Sequence, residues 1–270
     1  MTPIQEIELQ ALKEIKKITD KHHIRFFLRG GSVMGAVKYH GFVPWDDDMD
    51  IAIPREDYQK FIKIFSRDWS DIFWMASYLK NDDIHCYFPR IMVKEEAQKK
   101  LNLPRNNHLG FSIIDVLPLD YLPNTIFGRA KFIVKVALYR ILGSTWTSDI
   151  KDTINLQKSW KRVIVFLVKQ TKVSKRYSQN EIYDKLDKIY TKYSPSSTWR
   201  GTVTGSGFQK EMFPKNYWGA GKLVPFEDTQ FYIPDNYDKY LKKMYGKNYA
   251  SKEPSYKKSH IMKNNRVIGS

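Results

Sequence analysis

The chain reads as an α/β protein in which short strands alternate with amphipathic helices. Three observations carry this. Ile4, Ile7, Ala11, Ile15 and Ile18 recur at helical spacing. Residues 48–53 (DMDIAI) alternate polar with apolar side chains at the two-residue period of a strand. Between them, the apolar run 24–28 meets Gly30-Gly31-Ser32 and then a short helical pattern, the sequence form of a strand–turn–helix unit.

The elements follow in order. Residues 3–21 predict a helix, with Thr2 as its cap and Pro3 in its first turn. Residues 24–28 predict a strand, Gly30-Gly31-Ser32 a turn, and 32–39 a short helix. A loop with Pro44 leads into strand 48–53, which Pro54 should stop. Residues 55–65 form a helix with Tyr58, Phe61, Ile62 and Phe65 on one face. Strands are expected at 72–78, 87–93 and 111–117, with a polar connection at 94–108. Pro118 and Pro123 mark the way out of the last of these. Helices are expected at 126–142, 154–169 and 179–193. Strands follow at 202–204, 222–224 and 230–233, the last two joined by a turn at 225–228. A helix at 236–245 ends at Gly246, and the polar tail after Ser251 is expected to fray.

Composition bounds the rest. With 45 Lys and Arg against 29 Asp and Glu among 270 residues, the net charge is +16. Such a balance predicts an anionic partner: nucleic acid, an acidic membrane surface or a phosphorylated substrate. The single cysteine, Cys86, excludes a disulfide framework or a cysteine zinc site within one chain, and reads as a small core residue. The N-terminal segment is acidic and amphipathic, unlike a signal peptide, and no stretch reaches ~18 uninterrupted apolar residues, so no membrane span is expected. The expected place is the cytoplasm. Residues 126–176 hold twelve Lys or Arg and two acids, Asp149 and Asp152. The organisation expected is therefore a catalytic core at 1–125, a basic helical insertion at 126–195, and a part at 196–270 that completes the core.

The chemistry concentrates at residues 28–55. Asp46, Asp47, Asp48 and Asp50 put four acids into five residues of a basic protein. Like charges this close repel unless a cation sits among them. Asp48 and Asp50 share a face of an extended chain, and acids on one face suit Mg²⁺ or Mn²⁺, which also hold phosphates. The plain alternative is a solvated acidic loop, but these acids lead straight into Ile51-Ala52-Ile53, which anchors them. Asp115, inside an apolar strand, is expensive to bury unless paired or bound to a cation. It reads as a third carboxylate facing the other two, or else as an isolated core acid bonded to an arginine. A strand, a Gly-rich turn and a helix N-terminus also make a phosphate site, where Gly31 admits the phosphate to the backbone and Ser32 adds a hydroxyl.

GGSVMGAVKYHGFVPWDDDMDIAIPREDYQKF resembles the LicD family, within the nucleotidyltransferase superfamily and related to the catalytic domains of fukutin-like proteins. FSIIDVLPLD (111–120) and residues 222–249 match that family as well, whereas the basic middle does not. The resemblance implies a mixed β-sheet flanked by helices and a metal-dependent phosphotransferase. It places Asp48, Asp50 and Asp115 as metal and catalytic carboxylates, with Asp46 and Asp47 as further ligands or loop supports. It places Gly30, Gly31 and Ser32 at the phosphate turn, and Lys38, Arg90 and Lys94 as cations for a diphosphate. It implies transfer of a phospho-alcohol, such as phosphocholine from CDP-choline, to a hydroxyl of a cell-surface glycan, teichoic acid or glycolipid precursor, with Mg²⁺ or Mn²⁺ as cofactor.

Three other readings use the same residues. A nucleotidyltransferase would attack the α-phosphate and release pyrophosphate. A glycosyltransferase would use Asp48-Met49-Asp50 as a metal-holding pair but has no need of the glycine turn. A nucleic-acid binder explains +16 and not the clustered acids, so nucleic acid is not an expected partner. The expected partners are a CDP-alcohol donor and a glycan or lipid-linked glycan acceptor. The basic apolar helices of the insertion suit an anionic membrane surface at the inner face of the cell membrane, or form a subdomain with a solvated basic face. Trp45, Trp74, Tyr87, Trp218 and Tyr232 supply rings that either cage a choline ammonium or simply pack.

Overall fold

The computed structural model describes residues 1–65, 69–145, 170, 176–205 and 207–251, together with the backbone of 262–263 and 266–267. The predicted helix at 154–169 lies outside the described residues. A mixed sheet runs in the order β3-β4-β5-β2-β1-β9-β8, with β6 paired to β5 and β7 to β6. Its strands are β1 (Phe27–Leu28), β2 (Met49–Pro54), β3 (Phe73–Ala76), β4 (Arg90–Val93), β5 (Phe111–Leu122), β6 (Trp199–Gly201), β7 (Phe213–Pro214), β8 (Lys222–Phe226) and β9 (Thr229–Ile233). The β2–β5 and β1–β9 pairs are parallel, and the other pairs in this sheet are antiparallel. A two-stranded ladder, β10 (Met262–Lys263) with β11 (Arg266–Val267), forms in the tail where fraying was expected.

Helices cover the sheet. They are α1 (Pro3–Lys21), α2 (Gly31–Tyr39), α3 (Arg55–Ile64), α4 (Glu95–Lys100), α5 (Ile126–Ser144), α6 (Gln179–Tyr190) and α7 (Tyr237–Tyr245). At the start of α1, Thr2 and Gln5 exchange a reciprocal capping box. Its Ala11, Leu12 and Ile15 are fully buried, and each such Leu or Ile contributes ~1.5–3 kcal/mol. The polar connection at 94–108 contains α4, whose Glu95 and Glu96 lie in the first turn and Lys99 and Lys100 in the last, matching the helix dipole.

Two elements differ from expectation for clear reasons. Pro118 does not end β5, which continues to Leu122. On the flank of β5 away from β2, pairing with β4 stops at Asp115 and pairing with β6 starts at Asp120, so the proline falls between the two ladders. The strand expected at 202–204 instead occupies Trp199–Gly201. A Cβ at Gly201 would stand 1.7 Å from the Glu211 carbonyl oxygen, so only glycine permits this approach. Thr202 and Val203 then turn inward and are fully buried.

The first core lies under α1, α3 and the central strands. A second joins α5 and α6 to the edge of the sheet through Tyr78, Tyr87, Phe132, Tyr190 and Met212. Arg55 of α3 reaches both Asp120 of β5 (2.5 Å) and Asp187 of α6 (3.2 Å), tying α6 to the core.

Candidate active site

The site forms where β2 and β5 run side by side. Their parallel register sets Asp50 against Asp115, and the antiparallel β4 sets Arg90 against Asp115 on the other flank. Residues opposed across neighbouring strands share a face, so Asp50, Asp115 and Arg90 form a row across three strands. Arg90 Nε lies 3.0 Å from Asp115 Oδ1.

Arg29 holds Asp50 from the side of β1. Its backbone N–H donates to the Asp50 carbonyl at 3.0 Å, and its Nη1 lies 2.5 Å from Asp50 Oδ2. Arg29 is buried and ends a closed network. Its Nη2 lies 2.7 Å from Glu211 Oε1, and its Nε donates to Thr202 Oγ1 at 2.8 Å. The Thr202 hydroxyl donates in turn to Glu211 Oε2 at 2.8 Å. Burial works against the arginine charge, but Asp50 and Glu211 outweigh it and keep the guanidinium protonated.

Electrostatics shows what this row is suited to. Burial pushes the Asp50 carboxyl up to about 7; Arg29 opposes the rise, while Asp115, Asp48 and Glu211 add to it. Asp115 is raised as well, first by burial and against the pull of Arg90, with Asp48 adding to the rise. A fourth carboxyl joins from α1. Glu8 is fully buried, neither carboxylate oxygen has a hydrogen-bond partner, and burial followed by Asp48, Asp47 and Asp46 raises it well above its usual range. Carboxylates raised by burial and by neighbouring acids are a good fit for a divalent cation, whose charge favours the ionised form of each. The oxygen donor set suits Mg²⁺ or Mn²⁺.

The glycine turn stands beside these acids. Gly30 adopts φ 57° and ψ −124°, a conformation open to glycine, and caps α2. Its N–H donates to the Tyr240 hydroxyl of α7 at 2.9 Å. A Cβ at Gly31 would come within 2.9 Å of Asp46 Oδ2, so the turn and the acidic loop touch. Ser32 is buried; its hydroxyl accepts from the Asp50 N–H at 3.1 Å and contacts Met49 Sδ at 3.4 Å. It therefore fastens the turn to β2.

The Pro44–Trp45–Asp46 loop is clamped at both ends. Gln5 Nε2 of α1 donates to the Val43 and Asp46 carbonyls, at 3.1 and 2.8 Å. Glu227, in the β8–β9 turn, accepts from Phe42 N–H at 3.1 Å and donates its own N–H to His40 at 2.7 Å. Asp47 is buried, Asp46 half-buried and Asp48 exposed.

The other predicted cations fall elsewhere. Lys38 sits in the last turn of α2, seven residues from Gly31, a rise of about 10 Å along the axis. Lys94 caps α4 at the end of β4 remote from Arg90, about 13 Å along the strand. Among the rings, Trp218 is fully buried against Phe27 and Tyr240, and Tyr87 packs on Tyr78 and Tyr190. Tyr232 carries the Arg25 guanidinium at 4.8 Å. Trp74 is half-buried in β3 beside the second core. Trp45, next to the acids in sequence, meets Tyr39 edge-on at 6.0 Å.

Residues 23–122 match the family model LicD/FKTN/FKRP, nucleotidyltransferase domain. The chain carries a LicD-family domain. It spans β1 to β5 and so contains the turn, the acidic loop, Arg29, Arg90 and Asp115. Beyond the LicD domain the likeness extends across most of the chain. The lipopolysaccharide cholinephosphotransferase LicD of Haemophilus influenzae is 24% identical over 247 residues, covering 90% of this chain and 88% of that protein. Short stretches also match uncharacterized proteins of Rickettsia typhi (36% over 55 residues) and Rickettsia prowazekii (38% over 48 residues), each over 18% of the relative's length.

Several residues of this site escaped the sequence reading. Arg29 adjoins the glycine turn, but nothing in R-G-G-S marks it as the partner of an acid 21 residues on. Glu8 falls four residues after Ile4 and three before Ala11, on the apolar stripe of α1, where it is buried. Glu211 and Tyr240 come from segments with no local signal of a site.

Proposed function

We propose that the chain transfers a phospho-alcohol of the phosphocholine type from a CDP-activated donor to a hydroxyl of a cell-surface glycan or glycolipid precursor. The observation that carries the reading is the parallel register of Asp50 with Asp115, set beside a glycine turn that opens a helix. The similarity to a lipopolysaccharide cholinephosphotransferase supports the substrate class.

In this reading Asp48, Asp50 and Asp115 hold Mg²⁺ or Mn²⁺, which neutralises charge on the donor diphosphate and on the departing CMP. The chain's own groups do the positioning. The N-terminus of α2 at Gly31 receives a phosphate, because its backbone N–H groups and dipole favour an anion. Arg29 fixes the Asp50 carboxylate, and Ser32 fixes the backbone that carries it. Arg90 places a positive charge at the row of acids where the diphosphate has to lie. Asp115, kept ionised by the divalent cation and by Arg90, is the group that can accept the proton of the attacking hydroxyl. Trp45 offers its ring to a quaternary ammonium.

The insertion adds a place for the acceptor. On α5, Phe127 (85% exposed), Val134 (58%) and Leu138 (57%) lie on one helical stripe with Lys131 beside it. Apolar residues flanked by lysines suit an anionic lipid surface. No helix among the described residues is long and apolar enough to cross a membrane. Co-sedimentation with anionic vesicles at low salt checks the docking: Phe127→Asp should abolish it, and no pelleting of the unaltered chain removes it.

A donor screen with CDP-choline, CDP-glycerol, CDP-ribitol and nucleotide-sugars, with Mg²⁺ or Mn²⁺, tests the reaction. Release of CMP is expected; release of pyrophosphate would instead indicate a nucleotidyltransferase. Asp48→Ala and Asp50→Ala should each lose turnover while keeping the far-UV circular dichroism of the parent. Full activity in either variant rejects the assignment.

A further inference from the structure

Away from the row of acids, two loops meet through three side chains. Asp83 and His85 lie between β3 and β4, and His108 lies just before β5. His85 Nε2 is 2.6 Å from Asp83 Oδ1, and His108 Nε2 is 3.7 Å from Asp83 Oδ2. His108 Nε2 also contacts the Asp83 carbonyl oxygen. One ligand atom from each residue can be chosen so that all three lie within 4.8 Å of one another. The two rings stand edge to face with centroids 4.7 Å apart.

We infer that Asp83, His85 and His108 form a binding site for a transition-metal dication of the Zn²⁺ class, separate from the catalytic carboxylates. Two imidazoles and one carboxylate suit Zn²⁺ and its neighbours, whereas Mg²⁺ prefers oxygen alone. With metal–ligand bonds of ~2.0–2.2 Å, tetrahedral ligand atoms stand about 3.4 Å apart. The Asp83 side chain is 73% exposed, so it can turn to take up that spacing from His85 and His108.

The surroundings look built for a ligand. His85 sits at φ 51°, a left-handed conformation that costs a residue with a Cβ about 1 kcal/mol. An exposed carboxylate offers little in return, since surface ion pairs contribute only ~0–1 kcal/mol. Metal ligation explains why the backbone is held this way. Gln179 of α6 stands 3.4 Å from His85 Nδ1 and 2.9 Å from the Tyr183 hydroxyl. With its amide turned so that the oxygen faces them, it accepts from both, and it then fixes the tautomer that leaves His85 Nε2 free to ligate. His108 Nδ1 is buried with no hydrogen-bond partner. The site clips together the two loops that lead into β4 and β5, the strands that present Arg90 and Asp115. It acts as a brace and takes no part in the chemistry.

The test uses the full, untagged, metal-stripped chain titrated with Zn²⁺ by calorimetry in excess Mg²⁺, which occupies the all-oxygen site. One Zn²⁺ per chain is expected. His108→Gln and His85→Asn should weaken it ~100-fold or more, because each removes one of three ligands; asparagine tolerates the left-handed backbone at 85. Asp83→Asn, at an exposed position, gives a ligand loss that leaves the fold alone. Asp48→Ala should bind Zn²⁺ as the parent does. Zn²⁺ should also raise the thermal midpoint of the parent and leave that of the three ligand variants unmoved. The inference is overturned if the parent binds no Zn²⁺ under these conditions, if Asp83→Asn binds it as tightly as the parent, or if Asp48→Ala abolishes the uptake.

Discussion

The Arg29 network makes a sharp energetic prediction, because its members are buried and mutually dependent. Glu211 is fully buried, and Arg29 is only 7% exposed in its side chain. Glu211→Leu removes the charge that Arg29 shares with Asp50, and strips the Thr202 hydroxyl of its acceptor. Arg29 keeps Asp50, but its Nη2 and the Thr202 hydroxyl both lose a buried acceptor, losses that together cost about 3–5 kcal/mol. In a chain of this size that corresponds to a fall of about 6–20 °C in thermal midpoint. Glu211→Gln keeps an acceptor for Arg29 and should cost about 1–2 kcal/mol. The double variant Arg29→Met/Glu211→Leu removes both charges and should recover at least half of the Glu211→Leu loss, as Asp50, already raised to about 7, can then take a proton. The assay is urea unfolding followed by tryptophan fluorescence, with seven tryptophans as reporters. A Glu211→Leu loss below about 1 kcal/mol, or a double variant no better than the single, would falsify the view that Asp50 is held through this network.

Three further outcomes follow from the same electrostatics. With Asp50 near pH 7, binding of Mn²⁺ at that pH should release about half a proton per ion from this group, and almost none at pH 8.5; calorimetry in buffers of different ionisation enthalpy reads the difference, and equal release at both values contradicts the assignment of Asp50 as a ligand. Loss of hydration pushes the half-buried Cys86 thiol up to about 11; its thiolate fraction at pH 8 is then about 100-fold below that of a free cysteine, partly offset by greater nucleophilicity, so iodoacetamide should modify it about 10-fold more slowly, and labelling at the free rate would contradict the raised thiol. Glu8 has its folded pKa raised above the unfolded value, so its ionisation opposes folding, and the cost grows as pH climbs through and beyond the usual carboxylate range. Glu8→Gln should therefore stabilise the chain in EDTA more at pH 8 than at pH 5 by urea midpoint; an equal gain at both would show that Glu8 does not titrate against its acidic neighbours.

Much of the site was legible because its signals are local. DMDIAI carries both a two-residue period and part of a run of acids, so strand and carboxylates could be read together, and β2 forms there. Asp115 was expected as a third carboxylate facing Asp48 and Asp50 from an adjacent strand, and the register sets it beside Asp50. The alternative for Asp115, a core acid bonded to an arginine, also turns out to be present, since Arg90 lies against it. What could not be read depends on distant segments. Ser32 looked like an outward hydroxyl donor because glycine turns often present one, but its partner is the Asp50 backbone across the turn. Lys38 was named through the resemblance, and it lies in the last turn of α2, a rise of about 10 Å from Gly31. Val203 and its flanking threonines have strand propensity, yet the close approach of Glu211 to Gly201 decides where β6 ends. Thr202 is then spent on Arg29.

Strand β5 explains why the acids of this core stay separate in role. Asp115 and Asp120 lie five residues apart, an odd number, so they face opposite sides of the sheet. Asp120 is fully buried, raised to about 6 by burial against the pull of Arg55, and locked to it at 2.5 Å. Asp115 is 31% exposed and opens onto the face that carries Asp50. Both acids have an arginine, so pairing alone does not distinguish structure from chemistry. What distinguishes them is the company on each face. Asp120 is joined there by Arg55, whose other partner, Asp187, anchors α6; Asp50 and Asp115 are both raised, by burial first and with Asp48 adding to each, in spite of Arg29 and Arg90. A face on which buried Arg29 and half-buried Arg90 still leave the burial-raised carboxylates above their usual range has room for more positive charge. In the proposed reading a divalent cation at Asp48, Asp50 and Asp115 would supply it, beside the phosphate site at the N-terminus of α2.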